Sequence, residues 1–359
     1  VSAICLKNVG LNSISGVMFY LVGYNLAYGI PEGGYIGSFS MFAPSEDMST
    51  GYASHSDWFF QMVFCATTVS IVSGTVAERI KVWSFFIFAA LLAGIIYPIE
   101  MGWQWGGGWL ASMGFSDFAG STLVHAAGGA AALAGAIIIG PRLGRFKDGK
   151  AVPMAASSIP LATLGTFILW LGWFGFNGGS QLAIGTMDDA VAVSDIFVNT
   201  NLAACSGLIV AMILSQLLFG KVDVTFALNG ALAGLVSITA DPLSPSGGMA
   251  ILVGAIGGAI VYFSIVFLEN AGVDDPVGAI SAHGTVGIFG VLAVAFTGGA
   301  SFMGQLIGVL MIAGFTYLAS LGTILVIDKL IMPIRASDAE QEAGLDISEV
   351  GIEAYPEFK

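Results

Sequence analysis

Apolar residues in this chain gather into long runs, and polar residues fill the short stretches between them. A helix that crosses the hydrocarbon of a bilayer needs about 20 mostly apolar residues. Such runs lie near 8–30, 58–77, 83–101, 119–140, 155–176, 196–219, 225–240, 249–269, 277–297 and 303–332. The pattern predicts an all-α polytopic membrane protein with ten spans. Asn8, Asn12 and Asn25 weaken the first run, and the seventh is short and carries Asn229 and Gly230. Both need an independent check.

The placement of positive charge provides it. If all ten runs cross, the connecting segments alternate between the two sides. One set comprises the start, 78–82, 141–154, 220–224, 270–276 and the tail. With the adjoining helix ends it holds Lys7, Arg79, Lys81, Arg142, Arg145, Lys147, Lys150, Lys221, Lys329, Arg335 and Lys359, which is every Lys and Arg in the chain. The other set, near 31–57, 102–118, 181–195, 241–248 and 298–302, holds none. Lys and Arg favour the cytoplasmic side, and removing either doubtful span scrambles the partition. Ten spans with both termini cytoplasmic are therefore expected. Residues 1–334 are read as the transmembrane domain and 335–359 as an acidic cytoplasmic tail, whose seven acids and two bases account for −5 of the net charge of −13.

Composition narrows the class further. The chain of 359 residues is 56% hydrophobic and 10% charged, against about 25% charged in ordinary soluble domains. A soluble fold and a disordered chain are both excluded. Cys5, Cys65 and Cys205 are too few for a disulfide scaffold, and no basic patch for nucleic acid is present. The start carries no secretory signal. It begins at Val1 rather than Met, so a missing or processed leading piece is expected. Of the 50 glycines, many lie inside apolar runs, including Gly128, Gly129, Gly254, Gly257, Gly258, Gly284, Gly287 and Gly290. Small residues let helices approach closely in lipid, so a tightly packed bundle follows.

The candidate chemistry is confined to few residues. His55 precedes the run at 58–77 and is expected to be solvated. His125 and His283 lie inside otherwise apolar runs, in the stretches VHAAGG and AHGTVG. Their runs, the fourth and ninth, cross in opposite directions, as an inverted repeat with a site near the midplane requires. One such histidine can be a packing residue hydrogen-bonded across helices. Two, in helices of opposite direction, favour function. Neutral imidazole offers one donor and one acceptor, so two rings sharing a proton can line a narrow path for a small polar molecule. Zinc needs three or four ligands, and no such cluster appears, so no cofactor is expected. No nucleophile–base set emerges, so an enzyme is not expected.

Several motifs together resemble the ammonium transporter (Amt/Mep/Rh) family. They are DFAGSTLVH from Asp117 to His125, WGGG from Trp105, Phe60-Gln61 through Phe64 ahead of SGTVAER at 73–79, WFGFNGGS from Trp173 to Ser180, Asp274-Asp275-Pro276 with Ala282-His283-Gly284, and GLDIS at 344–348. The resemblance runs in order from about residue 8 to 355. It implies a homotrimer, each subunit a bundle of eleven helices with its own pore. It also implies site roles. Trp105, Phe64 and Ser180 form an outer recruitment site for ammonium, Phe64 and Phe176 a stacked gate, and His125 and His283 the paired imidazoles of the pore. Asp117 supports the recruitment site. The bland alternatives are an interfacial Trp105, packing roles for Phe64 and Phe176, an N-cap at Asp117, and Asn177 and Ser180 as the end of the fifth span. Glu78 and Arg79 are read as a cytoplasmic helix end.

Two features depart from the family pattern. The first run here matches the family's second helix, so the first helix is expected to be missing from the chain or dispensed with. Val350-Gly351-Ile352 replaces the usual His-Gly-Glu, which puts tail contacts to neighbouring subunits and regulatory partners in doubt. The implied function is ammonium transport across a plasma membrane, in bacteria the inner membrane. The alternative is an ammonium sensor with a cytoplasmic regulatory protein or fused signalling module as partner. The physics suits either. A small cation is costly to carry through hydrocarbon, and an aromatic face restores about 0.5–2 kcal/mol of its lost hydration. Potassium profits from the same rings but cannot give up a proton, so deprotonation discriminates.

Overall fold

A computed structural model describes residues 1–45 and 51–357. Lys359 and part of the 31–57 segment lie outside the described residues. Each apolar run becomes one helical rod. In chain order these are α1 (2–28), α2 (Ser54–Thr75), α3 (Val82–Gly102), α4 (Ser121–Ile139), α5 (Ile159–Gly179), α6 (Met187–Phe219), α7 (Val224–Ile238), α8 (Gly247–Asn270), α9 (Ile280–Thr297) and α10 (Phe302–Ile331). Eight of them are long and apolar enough to cross a membrane; α1 and the shorter α7 complete the set among the described residues. A two-residue hairpin (Phe146–Lys147 with Lys150–Ala151) sits between α4 and α5.

The rods differ in what surrounds them. About 78% of α4 is buried inside the bundle but only 11% of α5, so α4 is the centre and α5 turns its apolar side outward. α4 packs against α2, α9 and α10. Its crossing with α9 is a backbone contact. A Cβ placed on Gly129 would lie 2.3 Å from the Gly284 Cα, and one on Gly287 would lie 2.3 Å from the Ser121 carbonyl oxygen. Side chains of any size at these positions would hold the two rods apart. π turns interrupt both, at Ser121–Ala126 and Ile280–Thr285, and each turn contains one of the buried-run histidines. Further π turns lie in α1, α3 and α10. Such turns are rare and concentrate at functional sites.

Rod boundaries depart from the apolar runs where polar chemistry sets them. α6 begins at Met187 rather than 196 because Thr186 and Asp189 form a reciprocal capping box. α5 begins at Ile159 rather than 155, where the Ser158 hydroxyl accepts from the Leu161 N–H and Pro160 fills the first turn. α1 begins at Ser2, which places Lys7 inside the bundle rather than in a loop. Lys7 is 2% exposed, donates to the Ser73 carbonyl at 3.2 Å and lies over the Phe85 ring.

The basic residues do collect at one end, but not merely as solvated helix ends. Arg79 is fully buried. It donates to the carbonyls of Thr75, Ala77, Gly140 and Asp274, so it ties the ends of α2 and α4 to the loop before α9. Arg79 does stand at the end of α2, as a buried tie rather than a solvated charge. Arg142 bridges Asp274 and Glu78, and Arg145 pairs with Glu269. Burial pushes the Asp274 carboxyl up, but the Arg142 hydrogen bonds and the Arg79 charge outweigh it and leave the group below its ordinary value.

The tail folds back on this same end. Arg335 donates to the Ile139 and Pro141 carbonyls. The short helix α11 (Asp338–Ala343) starts with a second capping box, Ser337 with Glu340. Glu340 accepts from Lys81 at 3.0 Å, and Glu349 accepts from the Val82 N–H. The Ser337 backbone N–H, with Lys81 behind it, holds the Glu340 carboxyl down from 4.5 to about 2.

Two outcomes are expected. Gly129→Ala should cost about 3 kcal/mol or more, because its methyl would strike backbone that cannot yield; thermal unfolding in detergent measures it. The part of tail docking that depends on Glu340 should be complete above about 4.5 and lost as pH falls toward about 2. Pepsin digestion should therefore release the tail only at the acid end of that window in the wild type. In Lys81→Ala release should move toward its upper end.

Candidate functional site

The site is assembled around the start of α4. The Asp117 carboxylate, fully buried, accepts four backbone N–H groups. Gly120 and Ser121 donate to one oxygen and Thr122 and Leu123 to the other, all within 3.0 Å. These are orphan donors of a helix start, which an anion at that position satisfies. Gly120 takes φ +103° at the turn, a conformation that L side chains avoid. Asp117 thus satisfies the start of α4 from three residues ahead of its N-cap, Gly120. Its backbone carbonyl also accepts the Trp105 indole N–H at 2.9 Å, so the loop that the carboxylate fixes in turn fixes Trp105.

From Trp105 inward, rings follow one another without a break. The Phe64 ring meets Trp105 edge-on with centroids 5.7 Å apart. Phe176 lies against Phe64 at 4.1 Å and 31°. His125 stacks on Phe176 at 5.4 Å, and His283 stacks on His125 at 5.1 Å. Five of the residues singled out from the sequence are therefore one column, drawn from the α3–α4 loop and from α2, α5, α4 and α9. Ser180 stands at the C-terminal end of α5, where its hydroxyl donates to the Phe176 carbonyl at 2.8 Å; it ends that helix and adjoins the column through Phe176. His55 is exposed, with its ring near Phe42.

The two imidazoles face each other through the same atom, Nδ1 to Nδ1 at 3.2 Å. One ring must carry its proton on Nδ1 and the other must not, so a single proton lies between them. Two imidazolium rings in this pose would oppose N–H to N–H. His125 is 1% exposed, and its Nε2 has no hydrogen-bond partner. That leaves one unengaged ring nitrogen in an otherwise apolar surround, suited to exchange a hydrogen bond with a small guest. Among the described residues no group of three or more His, Cys, Asp or Glu side chains is gathered to hold a metal.

One neighbour was given no role from the sequence. Trp173 stacks on His125 at 5.0 Å and 18°. Its indole N–H donates to the Thr239 hydroxyl at 2.8 Å, Thr239 contacts the Asn177 amide at 3.1 Å, and Asn177 donates to Thr200 at 3.0 Å. Asn177 is thus a buried link between α5, α6 and α7 rather than a helix terminator. The only available signal was that Trp173 stands one turn before Phe176 on the same rod.

A profile of the Ammonium Transporter Family matches residues 1–355. The chain belongs to the ammonium transporter family. It is 38% identical to ammonium transporter Amt2 of Archaeoglobus fulgidus, over all of this chain and 82% of that protein. It is 33% identical to ammonium transporter 1 member 1 of Arabidopsis thaliana, over 99% of this chain and 79% of that one. Among solved structures it superposes on a protein described as a sensor Amt protein with TM-score 0.89 at 34% identity, covering 96% of this chain and 89% of that one. Mep2 of Candida albicans superposes with TM-score 0.83, covering 94% and 84%, at 24% identity, which speaks to the fold alone. The two relatives from Archaeoglobus and Arabidopsis are named as ammonium transporters, not enzymes, and the chain is a multi-pass membrane protein of this family's fold.

Asp117→Ala would leave four buried N–H groups of this Amt-like site without an acceptor. We expect a loss of at least about 3 kcal/mol, since one unsatisfied buried donor costs about 1–3 kcal/mol. Asp117→Asn should lose less. Trp105 emission should shift in both, and thermal unfolding with fluorescence checks the pair.

Proposed function

We propose that this chain conducts ammonium across the membrane through a pore within the subunit. The observation that supports it is the unbroken ring column that ends on the facing histidines. Ammonium is recruited by the quadrupoles of Trp105 and Phe64, with the Ser180 hydroxyl as a hydrogen-bond partner. It gives up its proton, and ammonia passes the Phe64–Phe176 gate. Ammonia then exchanges hydrogen bonds with His125 and His283, whose shared proton leaves each ring one usable donor or acceptor. Asp117 acts through the loop it anchors and through Trp105, without touching the guest.

The clustering of Arg79, Arg142, Arg145 and Arg335 at one end supports a cytoplasmic orientation for that end, with the described part of the tail, 335–357, beside it. Residues 1–334 form the transmembrane domain on this reading. The outward apolar face of α5 is in keeping with lipid or with further copies in a homotrimer.

A second reading is favoured by one match, the 34% identity and TM-score 0.89 to a sensor Amt protein. In it the same column binds ammonium and signals without conducting. Reconstituted liposomes given an ammonium pulse separate the two. Entry is read by an internal pH dye, and charge movement by current on a solid-supported membrane. Conduction predicts one or both signals in wild type and their loss in His125→Ala. Ammonium binding to the purified protein with neither signal would sink conduction in favour of sensing.

A further inference from the structure

One buried charge at the outer end of the bundle has no opposite charge to meet it. Asp57 lies in the first turn of α2 and is 7% exposed. Its carboxylate accepts the Tyr24 hydroxyl at 2.6 Å and the Gln61 amide at 3.3 Å. Two donors and the N-terminal turn of a helix favour the charged form over the neutral acid. Among the described residues no Lys, Arg or His forms an ion pair with it. The connecting segments that share its end of the bundle carry no Lys or Arg at all. Buried charges are ordinarily paired, so the opposite charge for Asp57 has to come from solution. The helix places this charge relative to the column. Asp57, Phe60, Gln61 and Phe64 follow one another at spacings of three, four and seven and share one face of α2. The Phe60 ring packs on Phe64 at 4.7 Å. It also lies against the backbone next to Ser180, since a Cβ on Gly179 would stand 2.7 Å from it. Seven residues of helix rise about 10 Å, so the carboxylate lies two turns outward of the Phe64 ring. Asp117, the other acid near this site, is already engaged by four N–H groups.

We propose that Asp57 is the counter-charge of the outer aromatic site, drawing monovalent cations to Trp105 and Phe64 through space without touching them. The inference rests on the reading of that site as the place where ammonium is held. Two unit charges about 10 Å apart, at an effective dielectric constant of about 20, attract by an amount worth on the order of tenfold in affinity. The rings act only at contact, where they replace water of hydration. The acid supplies the longer-range pull that a quadrupole lacks. Potassium is drawn equally, so discrimination stays with the loss of a proton further in. A charge that holds the cation also resists its conversion to ammonia, so Asp57 raises occupancy of the site and does not speed passage.

Calorimetric titration of the purified protein with ammonium tests it, together with entry into liposomes read by an internal pH dye. In Asp57→Asn, which keeps the shape and loses the charge, Kd and KM should both rise about tenfold. Maximal entry should be no lower than in wild type, a result that damage to the site would not give. Tyr24→Phe removes the hydrogen bond, keeps the charge and should leave Kd close to wild type. Asp57→Ser replaces the first variant should thermal unfolding show that it does not fold. The proposal is overturned by a wild-type Kd in Asp57→Asn, by an equal shift in Tyr24→Phe, or by slower maximal entry with Kd unchanged. Wild type that binds ammonium but admits none would sink the transport reading and leave the titrations to decide this one. Wild-type entry with an unaltered Asp57→Asn variant would remove this inference alone, and wild type that neither binds nor admits ammonium would sink both.

Discussion

The whole site hangs on one close approach, the backbone contact of α4 and α9 at Gly129 and Gly284. Side chains cannot separate two helices at a point where neither has one. With the axes this close, the π turns just ahead of the crossing point carry His125 and His283 far enough inward for the rings to stack. An imidazole alone in an apolar bundle must lose its hydrogen bonds to water, at a cost of a few kcal/mol. Facing Nδ1 atoms recover part of that cost for both rings at once, so the pair is more economical in free energy than either ring alone. The same contact explains why α4 is the most enclosed rod. A helix whose neighbours touch its backbone has little surface left for lipid.

Outward from the pair, the column changes from rings that exchange hydrogen bonds to rings that offer only their faces and edges. That order is meaningful for a small cation. At the Trp105 end a charge meets aromatic quadrupoles, which replace a fraction of its hydration. Further in, the Phe64–Phe176 contact at 4.1 Å leaves no room for a hydration shell and supplies nothing that can replace one. A species that remains charged faces the full desolvation cost there, and a species that has become neutral does not. Selectivity of this kind needs no snug cage. It needs a proton-transfer step placed before an apolar constriction.

The bundle was largely legible from the chain. Ten apolar runs located ten rods, and the eleven-to-none division of basic residues kept Asn-rich α1 and short α7 in the count. Five ring residues singled out in the chain, Phe64, Trp105 and Phe176 on motifs and the two histidines on mid-run polarity, stand next to one another in the structure. What the chain did not disclose depends on polar partners distant in sequence. Arg79 looks like a helix end until Gly140 and Asp274 supply its acceptors. Lys7 looks like a loop charge until the Ser73 carbonyl is seen beside it. The Trp173–Thr239–Asn177–Thr200 chain joins three rods through residues that look individually like ordinary polar interruptions. The π turns leave no mark in an apolar pattern, because one extra residue in a turn preserves its hydrophobicity and changes only the direction in which side chains point.

Asp117 and Glu100 show most clearly how position in the backbone decides what an acid can do. Both are fully buried. Asp117 precedes a helix start, where free N–H groups point at it, and four of them hold its charge in place. A carboxylate so fully engaged makes a poor proton acceptor, since every lone pair it would use is already directed at a donor. Glu100 lies within a helix, where the backbone N–H groups are spent on the preceding turn, so the main chain cannot satisfy it. No partner stabilises a charge there, so the buried group is kept as the neutral acid. Helix geometry thus separates the two: a carboxylate is held at the helix start, where free N–H groups meet it, and a neutral acid inside the helix, where none do.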